Sequence, residues 1–175
     1  SCVLAGVQSP GHIGLALLFA VPAWLVFAET KASVAFTALA ASTGMLPDGD
    51  LVLMNYFFVE HHGLTHSFVF TIPTALFLGA VVTGGYLLVR GDRRTSTAAV
   101  YGFATLALFT GMAAHIVADM LTTPDIAPPI KPLFPVVSER VILDLAFVKS
   151  KLWNLGTLAL GIVAQIGFGL RAYLS

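Results

Sequence analysis

The sequence predicts an all-α membrane protein, a polytopic helical bundle of four to five transmembrane helices in a single integral membrane domain over residues 1–175. Three observations carry that reading. Hydrophobic residues make up 57% of the chain and charged residues only 10%, and the mean hydropathy of +0.89 is far above what a soluble domain of this length needs. The apolar residues come in runs close to the roughly 20 that cross the hydrocarbon as a helix. All five histidines stand beside carboxylates or each other at polar breaks in this apolar background, in the segments GHIG, EHHGLTHS and HIVAD, with the acidic LPDGD between them.

The runs fall at 13–28, 33–46, 68–89, 97–121 and 152–174. No basic segment precedes the first and no small-residue cleavage site follows it, so it is expected to remain rather than be removed as a signal peptide. The second is short for a span. Glu29, Thr30 and Lys31 make a tight polar turn after the first run, and residues 90–94, RGDRR, make another after the third; such short turns imply antiparallel neighbours. Residues 122–151 hold five of the nine prolines, Pro124, Pro128, Pro129, Pro132 and Pro135, and cannot form one continuous helix. This stretch reads as a structured cap over the polar end of the bundle, since loops of such length in a compact protein are usually functional. Neither an internal repeat nor a low-complexity tract is visible.

Following the chain up and down through those turns brings His12, Asp48, Asp50, His61, His62, His66, His115 and Asp119 to one face of the bilayer. The turns lie at the other. The RGDRR cluster sits in a short loop, where the positive-inside rule acts most strongly. That places the turns in the cytoplasm and the histidine face outside a multi-pass cell-membrane protein.

His115 and Asp119 are four apart in a helical run, so they share a face and can hold one cation. The competing reading is a plain hydrogen bond between helices, but ionisable groups near hydrocarbon cost about 2.5–3.5 kcal/mol each and are functional candidates by default. His62 and His66 are also four apart, whereas His61 and His66 converge only if Gly63 lets the backbone turn before the third span. The sequence leaves that choice open. Thr65 and Ser67 are expected to cap the following helix, with support of an imidazole tautomer as the alternative. Asp48 and Asp50 flank Gly49 after Pro47, which alone would be an ordinary interfacial turn. His12 precedes the first span, and its candidacy rests on lying at the same face.

The single cysteine excludes an intrachain disulfide and a thiolate cluster. Any metal must therefore use imidazole and carboxylate, a donor set that favours zinc, with manganese or iron possible, over the all-oxygen preference of magnesium and calcium. More candidate donors than one tetrahedral zinc requires suggest two or three ions. Acidic and basic residues balance, at nine each, and no basic stripe marks a nucleic-acid partner.

The blocks GH, LPDxD, HxGxTHS and HxxxDxLT, in this order over roughly the first 135 residues, resemble the YdjM-type, LexA-regulated, membrane-bound metal-dependent hydrolase-like proteins. That family is grouped with zinc-dependent phospholipase C and the S1/P1 nucleases, which use a trinuclear zinc cluster. The resemblance implies His12, Asp48 or Asp50, His61, His66, His115 and Asp119 as ligands. This sequence has His62 where the family usually has arginine, Gly49 where isoleucine is common, and leucine where histidine often follows the second aspartate.

The leading expectation is a phosphoesterase, phospholipase C-like, using metal-activated water on a membrane lipid or lipid-linked phosphate. Asp50 or His62 would position water or shuttle a proton, and Lys131 or Arg140 in the cap would hold the phosphate, though interfacial anchoring is the more ordinary role of both. The alternative is a metal-binding protein without catalysis, or a transporter. Transporters place polar groups near the bilayer midplane on repeated, broken helices, and here they gather toward one face. A helical HExxH motif for proteolysis is absent.

Overall fold

A computed structural model describes residues 9–90, 95–123, 128–147 and 149–174. Cys2, Pro124 and residues 91–94 of the RGDRR turn lie outside the described residues. The helices are α1 (Ser9–Phe19), α2 (Ala23–Val26), α3 (Thr30–Thr43), α4 (Asp50–Leu53), α5 (Phe68–Arg90), α6 (Thr97–Leu121) and α7 (Lys151–Leu174), with single 3-10 turns at Pro47–Gly49 and Leu64–His66. The chain is an all-α membrane bundle. Four stretches are long and apolar enough to cross a bilayer: Ser9–Val26, Phe68–Arg90, Thr97–Leu121 and Lys151–Leu174.

Two sequence expectations change here. The first span begins at Ser9, so His12 is inside α1 and buried rather than ahead of it. The second run forms α3, whose 14 residues rise about 21 Å at 1.5 Å per residue, short of the roughly 30 Å hydrocarbon thickness. Helix α3 is thus a partial span that leans on its neighbours.

Helix α6 is the most buried of the spans and packs against α1, α3 and α5, while α1 packs against α7. Burial alone does not drive association in lipid, so close backbone approach through small residues matters. A Cβ at Gly14 would fall 2.5 Å from the Thr157 carbonyl carbon, one at Gly161 would fall 2.7 Å from the Gly14 carbonyl oxygen, and Gly111 lies directly on the Ala40 carbonyl. Thr43 Oγ1 also donates to the Leu108 carbonyl at 2.8 Å, tying α3 to α6.

The first span is broken between α1 and α2. Pro22 has no N–H to give, and the Val21 N–H turns to the Leu18 carbonyl. The freed Leu17 carbonyl accepts from Gln165 Nε2 of α7 at 2.7 Å, and Gln165 Oε1 accepts from Trp24 Nε1 at 2.6 Å and Thr37 Oγ1 at 3.1 Å. One glutamine therefore satisfies the break and joins three elements, as backbone groups away from water require.

The cap region contains no helix among its described residues. Thr122–Thr123 pairs in parallel with Ala146–Phe147, and the Leu143 and Leu145 N–H groups donate to the Met120 and Leu121 carbonyls at the end of α6. The Phe68 N–H at the start of α5 donates to the Pro132 carbonyl. The cap thereby links the same ends of α5 and α6 that carry the histidines.

Candidate metal centre

His115 and Asp119 project from one face of α6. His115 Nδ1 lies 2.7 Å from the Gly44 carbonyl, which can only accept, so Nδ1 carries the hydrogen and Nε2 presents a lone pair. His66 ends the 3-10 turn ahead of α5 and is fully buried. Its Nδ1 lies 3.2 Å from Asp50 Oδ2, while Thr65 Oγ1 donates to that same oxygen at 2.9 Å. The His66 Nδ1–H therefore also points outward, leaving Nε2 facing His115.

These two nitrogens and two carboxylate oxygens converge as four donor atoms. His66 Nε2 is 3.3 Å from His115 Nε2, 3.3 Å from Asp48 Oδ1 and 3.6 Å from Asp119 Oδ2. His115 Nε2 is 3.5 Å from Asp48 Oδ1 and 3.3 Å from Asp119 Oδ2. A tetrahedral cation with metal–donor bonds of about 2.0–2.1 Å needs edges of about 3.3–3.4 Å. Three of these five distances match that edge, and the other two, at 3.5 and 3.6 Å, are slightly longer. Four inward lone pairs repel unless a cation sits among them, and Asp119 Oδ2 is buried without a hydrogen-bond partner. The donor set could hold one metal ion.

His12 stacks on the His115 ring at a centroid distance of 3.9 Å and brings Nε2 within 3.5 Å of Asp119 Oδ1. Its Nδ1 is buried and unpartnered. A void of about 10 Å³ lies between Gly11, His12, Asp119 and Asn154, about the volume one small solvent probe occupies.

A second group of donors adjoins the first. His61 Nδ1 is 3.1 Å from Asp50 Oδ1, so Asp50 clamps two imidazoles at once. His62 adopts a left-handed φ of 62°, a conformation costing about 1–2 kcal/mol for a residue with a Cβ. Gly63 follows because a Cβ there would lie 2.8 Å from the Glu60 carbonyl. That turn swings His62 Nδ1 onto the Pro128 carbonyl at 2.6 Å. His61, His62 and His66 can bring one ligand atom each within 4.8 Å of one another, as can Asp48, Asp50, His61 and His66. Gly63 and His62 together resolve the question the sequence leaves open: both His61 and His62 reach the cluster.

The electrostatics follow from this geometry. Burial by itself would raise the Asp48 carboxyl, but hydrogen bonds with His115 and His66 outweigh it and hold Asp48 well below the usual carboxylate range. Asp50 is likewise penalised by burial yet held low by His61 and His66. Burial lowers His66, but Asp48 and Asp50 more than offset that and keep it above its ordinary value. The field at His66 favours a positive charge, which a proton or a metal can supply. Burial pushes His62 below the usual imidazole value, so it stays neutral near pH 7.

Of the remaining candidates, Asp50 and Thr65 adjoin this core, whereas Lys131 and Arg140 belong to the cap. Asp50 is fully buried with both oxygens engaged, so it orients imidazoles instead of facing open water. Thr65 supports Asp50 and does not cap a helix, whereas Ser67 does cap α5 by accepting from the Phe70 N–H at 3.2 Å. Lys131 lies 3.9 Å from Glu60, and Arg140 is exposed on the cap. Asn154 was not anticipated. It is buried at the start of α7, beside His12, and its Nδ2 donates to the Ser150 carbonyl at 2.8 Å; the signal was an amide inside an apolar run.

No curated protein and no solved structure matches this chain. The family model described as YdjM inner membrane protein covers residues 8–174, which takes in every donor described above, and the chain belongs to that family of inner-membrane proteins.

Proposed function

We propose that this protein is a membrane-embedded, metal-dependent hydrolase, a phosphoesterase of phospholipase C-like chemistry that acts on a lipid or lipid-linked phosphate. The observation that carries the reading is the convergence of His66 Nε2, His115 Nε2, Asp48 Oδ1 and Asp119 Oδ2, with the Nδ1 hydrogens of both histidines committed elsewhere. Zinc is the first choice for this donor set, with manganese or iron as alternatives. When bound, such ions supply a Lewis acid that polarises a phosphoryl oxygen and lowers the pKa of water.

The chain's own residues have separable parts in this scheme. Asp50 and Thr65 fix the His66 tautomer, and the Gly44 carbonyl fixes that of His115, which is the usual outer support of a metal-ligating imidazole. His62 is neutral, donates Nδ1–H to Pro128 and keeps Nε2 free to accept a proton from an attacking water, then return it to a leaving oxygen. Lys131 can reach a phosphate by exchanging Glu60 for it. The basic RGDRR segment supports, by the positive-inside rule, a cytoplasmic location for the opposite face and an outward-facing centre.

The alternative is metal binding without turnover, for structure or transport. The broken first span favours it, since transporters use such breaks to coordinate ions. Against it, Gln165 already occupies the freed Leu17 carbonyl. Purified protein reconstituted in mixed phospholipid vesicles should release phosphorylated head groups, and a chelator should abolish the release. Bound metal with no release from any phospholipid or prenyl phosphate would favour the alternative.

A further inference from the structure

Residues 51–59, LVLMNYFFV, run from α4, which they include in part, to the histidine segment and hold no charged side chain. Every residue from 51 to 58 is exposed, with Tyr56 at 77% and Phe57 at 63% of full exposure and Phe58 fully exposed. Contiguous apolar surface of this kind is not left in water. Much of its backbone, moreover, is satisfied locally. The N–H groups of Met54, Asn55, Tyr56, Phe57 and Val59 all donate within the loop, and the one polar side chain, Asn55, gives Nδ2 to the Leu51 and Val52 carbonyls. This partial closure suits the headgroup boundary, where the remaining backbone groups still meet water, and not the hydrocarbon itself.

Position supplies the occupant. The loop leaves the bundle at Asp50 and returns at His61, which meet at 3.1 Å, so its neck is part of the histidine and aspartate cluster. That neck adjoins the start of α5, a spanning helix whose Ile72 and Phe77 are exposed. The apolar surface of the loop continues the lipid-facing surface of the spans, and Glu60, 85% exposed at its side chain, marks where charge resumes.

We propose that residues 51–59 are a membrane-dipping loop whose partner is the lipid surface of the leaflet bearing the metal centre. Apolar faces of this size enter about 5–10 Å, to the headgroup and acyl boundary, where Tyr and other amphipathic rings are favoured. Because the neck is Asp50 and His61, insertion holds the cluster at headgroup depth. The site is thereby offered to a phosphate carried by the bilayer in preference to one free in solution. This does not depend on hydrolysis taking place.

The test uses full-length protein with Cys2→Ser and Phe58→Cys, labelled with an environment-sensitive dye and reconstituted in phosphatidylcholine vesicles. Brominated phosphatidylcholine should quench the dye strongly while aqueous iodide leaves most of the emission. Adding Phe57→Asp should reverse that preference. Quenching by iodide and not by bromolipid would overturn the proposal, as would protection from both, which would mean a protein partner or a second copy covers the loop. Metal content of the same samples distinguishes this failure from failure of the metal reading.

Discussion

At Asp50 one carboxylate receives His61, Thr65 and His66, and this makes it the residue whose replacement is most informative. Asp50→Asn keeps the volume but can no longer accept two Nδ1 hydrogens as an anion, so both imidazoles lose their enforced tautomer. Metal affinity should fall about 10–100-fold, the range for an outer-shell partner, with the protein still folded; unchanged affinity by competitive chelation would remove Asp50 from the account. The sequence offered Asp48 and Asp50 as equals, because a Pro-Asp-Gly-Asp turn does not reveal which carboxylate faces inward. It likewise placed His12 ahead of the first span, although an imidazole two residues after a proline can equally sit in a helix's first turn.

Protonation of His66 gives a second residue-scale expectation. Its folded-state pKa is raised from the ordinary 6.5, so in metal-free protein the charged imidazole stabilises the fold below about pH 6.5, and that contribution is lost as pH rises through the raised value. Asp48 and Asp50 are depressed, so theirs is present above about pH 4, the unfolded carboxylate value, and is lost as pH falls through their lowered values. In a His62→Gln background, which removes the opposing contribution of that lowered imidazole, metal-free protein should therefore melt at its highest temperature between about pH 4 and 6.5 and lose stability toward pH 8. Metal should abolish that alkaline loss. A metal-free melting temperature that rises from pH 6 to pH 8 would contradict it.

Among the elements, α3 connects packing to the site. Its carboxyl end supplies the Gly44 carbonyl to His115, and its approach to α6 depends on Gly111 lying against Ala40. Gly111→Leu should push α3 away, cost about 1–3 kcal/mol as overpacking does, and lower metal affinity although residue 111 touches no donor. A variant with reduced melting temperature but undiminished metal affinity would uncouple the two. Hydropathy located α5, α6 and α7 to within a residue or so, because long uniform runs leave little freedom at their ends. It was less informative about α3 and the first span. Helix α3 is held by Thr43 on the Leu108 carbonyl and Ser33 on the Ala23 carbonyl at 3.1 Å more than by its own length, and the break at Pro22 depends on Gln165, 148 residues from Leu17, a pairing beyond any local pattern.

For the whole molecule, the up-and-down path was legible because polar turns alternate with apolar runs. The ends of α3 and α6 and the starts of α1, α5 and α7 consequently meet on one side. What the sequence could not supply was the spacing of donor atoms, since 3.3 Å edges emerge only once α6 is locked against its neighbours by small residues. Elemental mass spectrometry on detergent-purified protein, beside His66→Ala and His115→Ala, tests the central claim most directly. The account predicts at least one zinc-class ion per wild-type chain and marked loss in both variants, whereas metal-free wild type, or metal content unchanged in both variants, would contradict it.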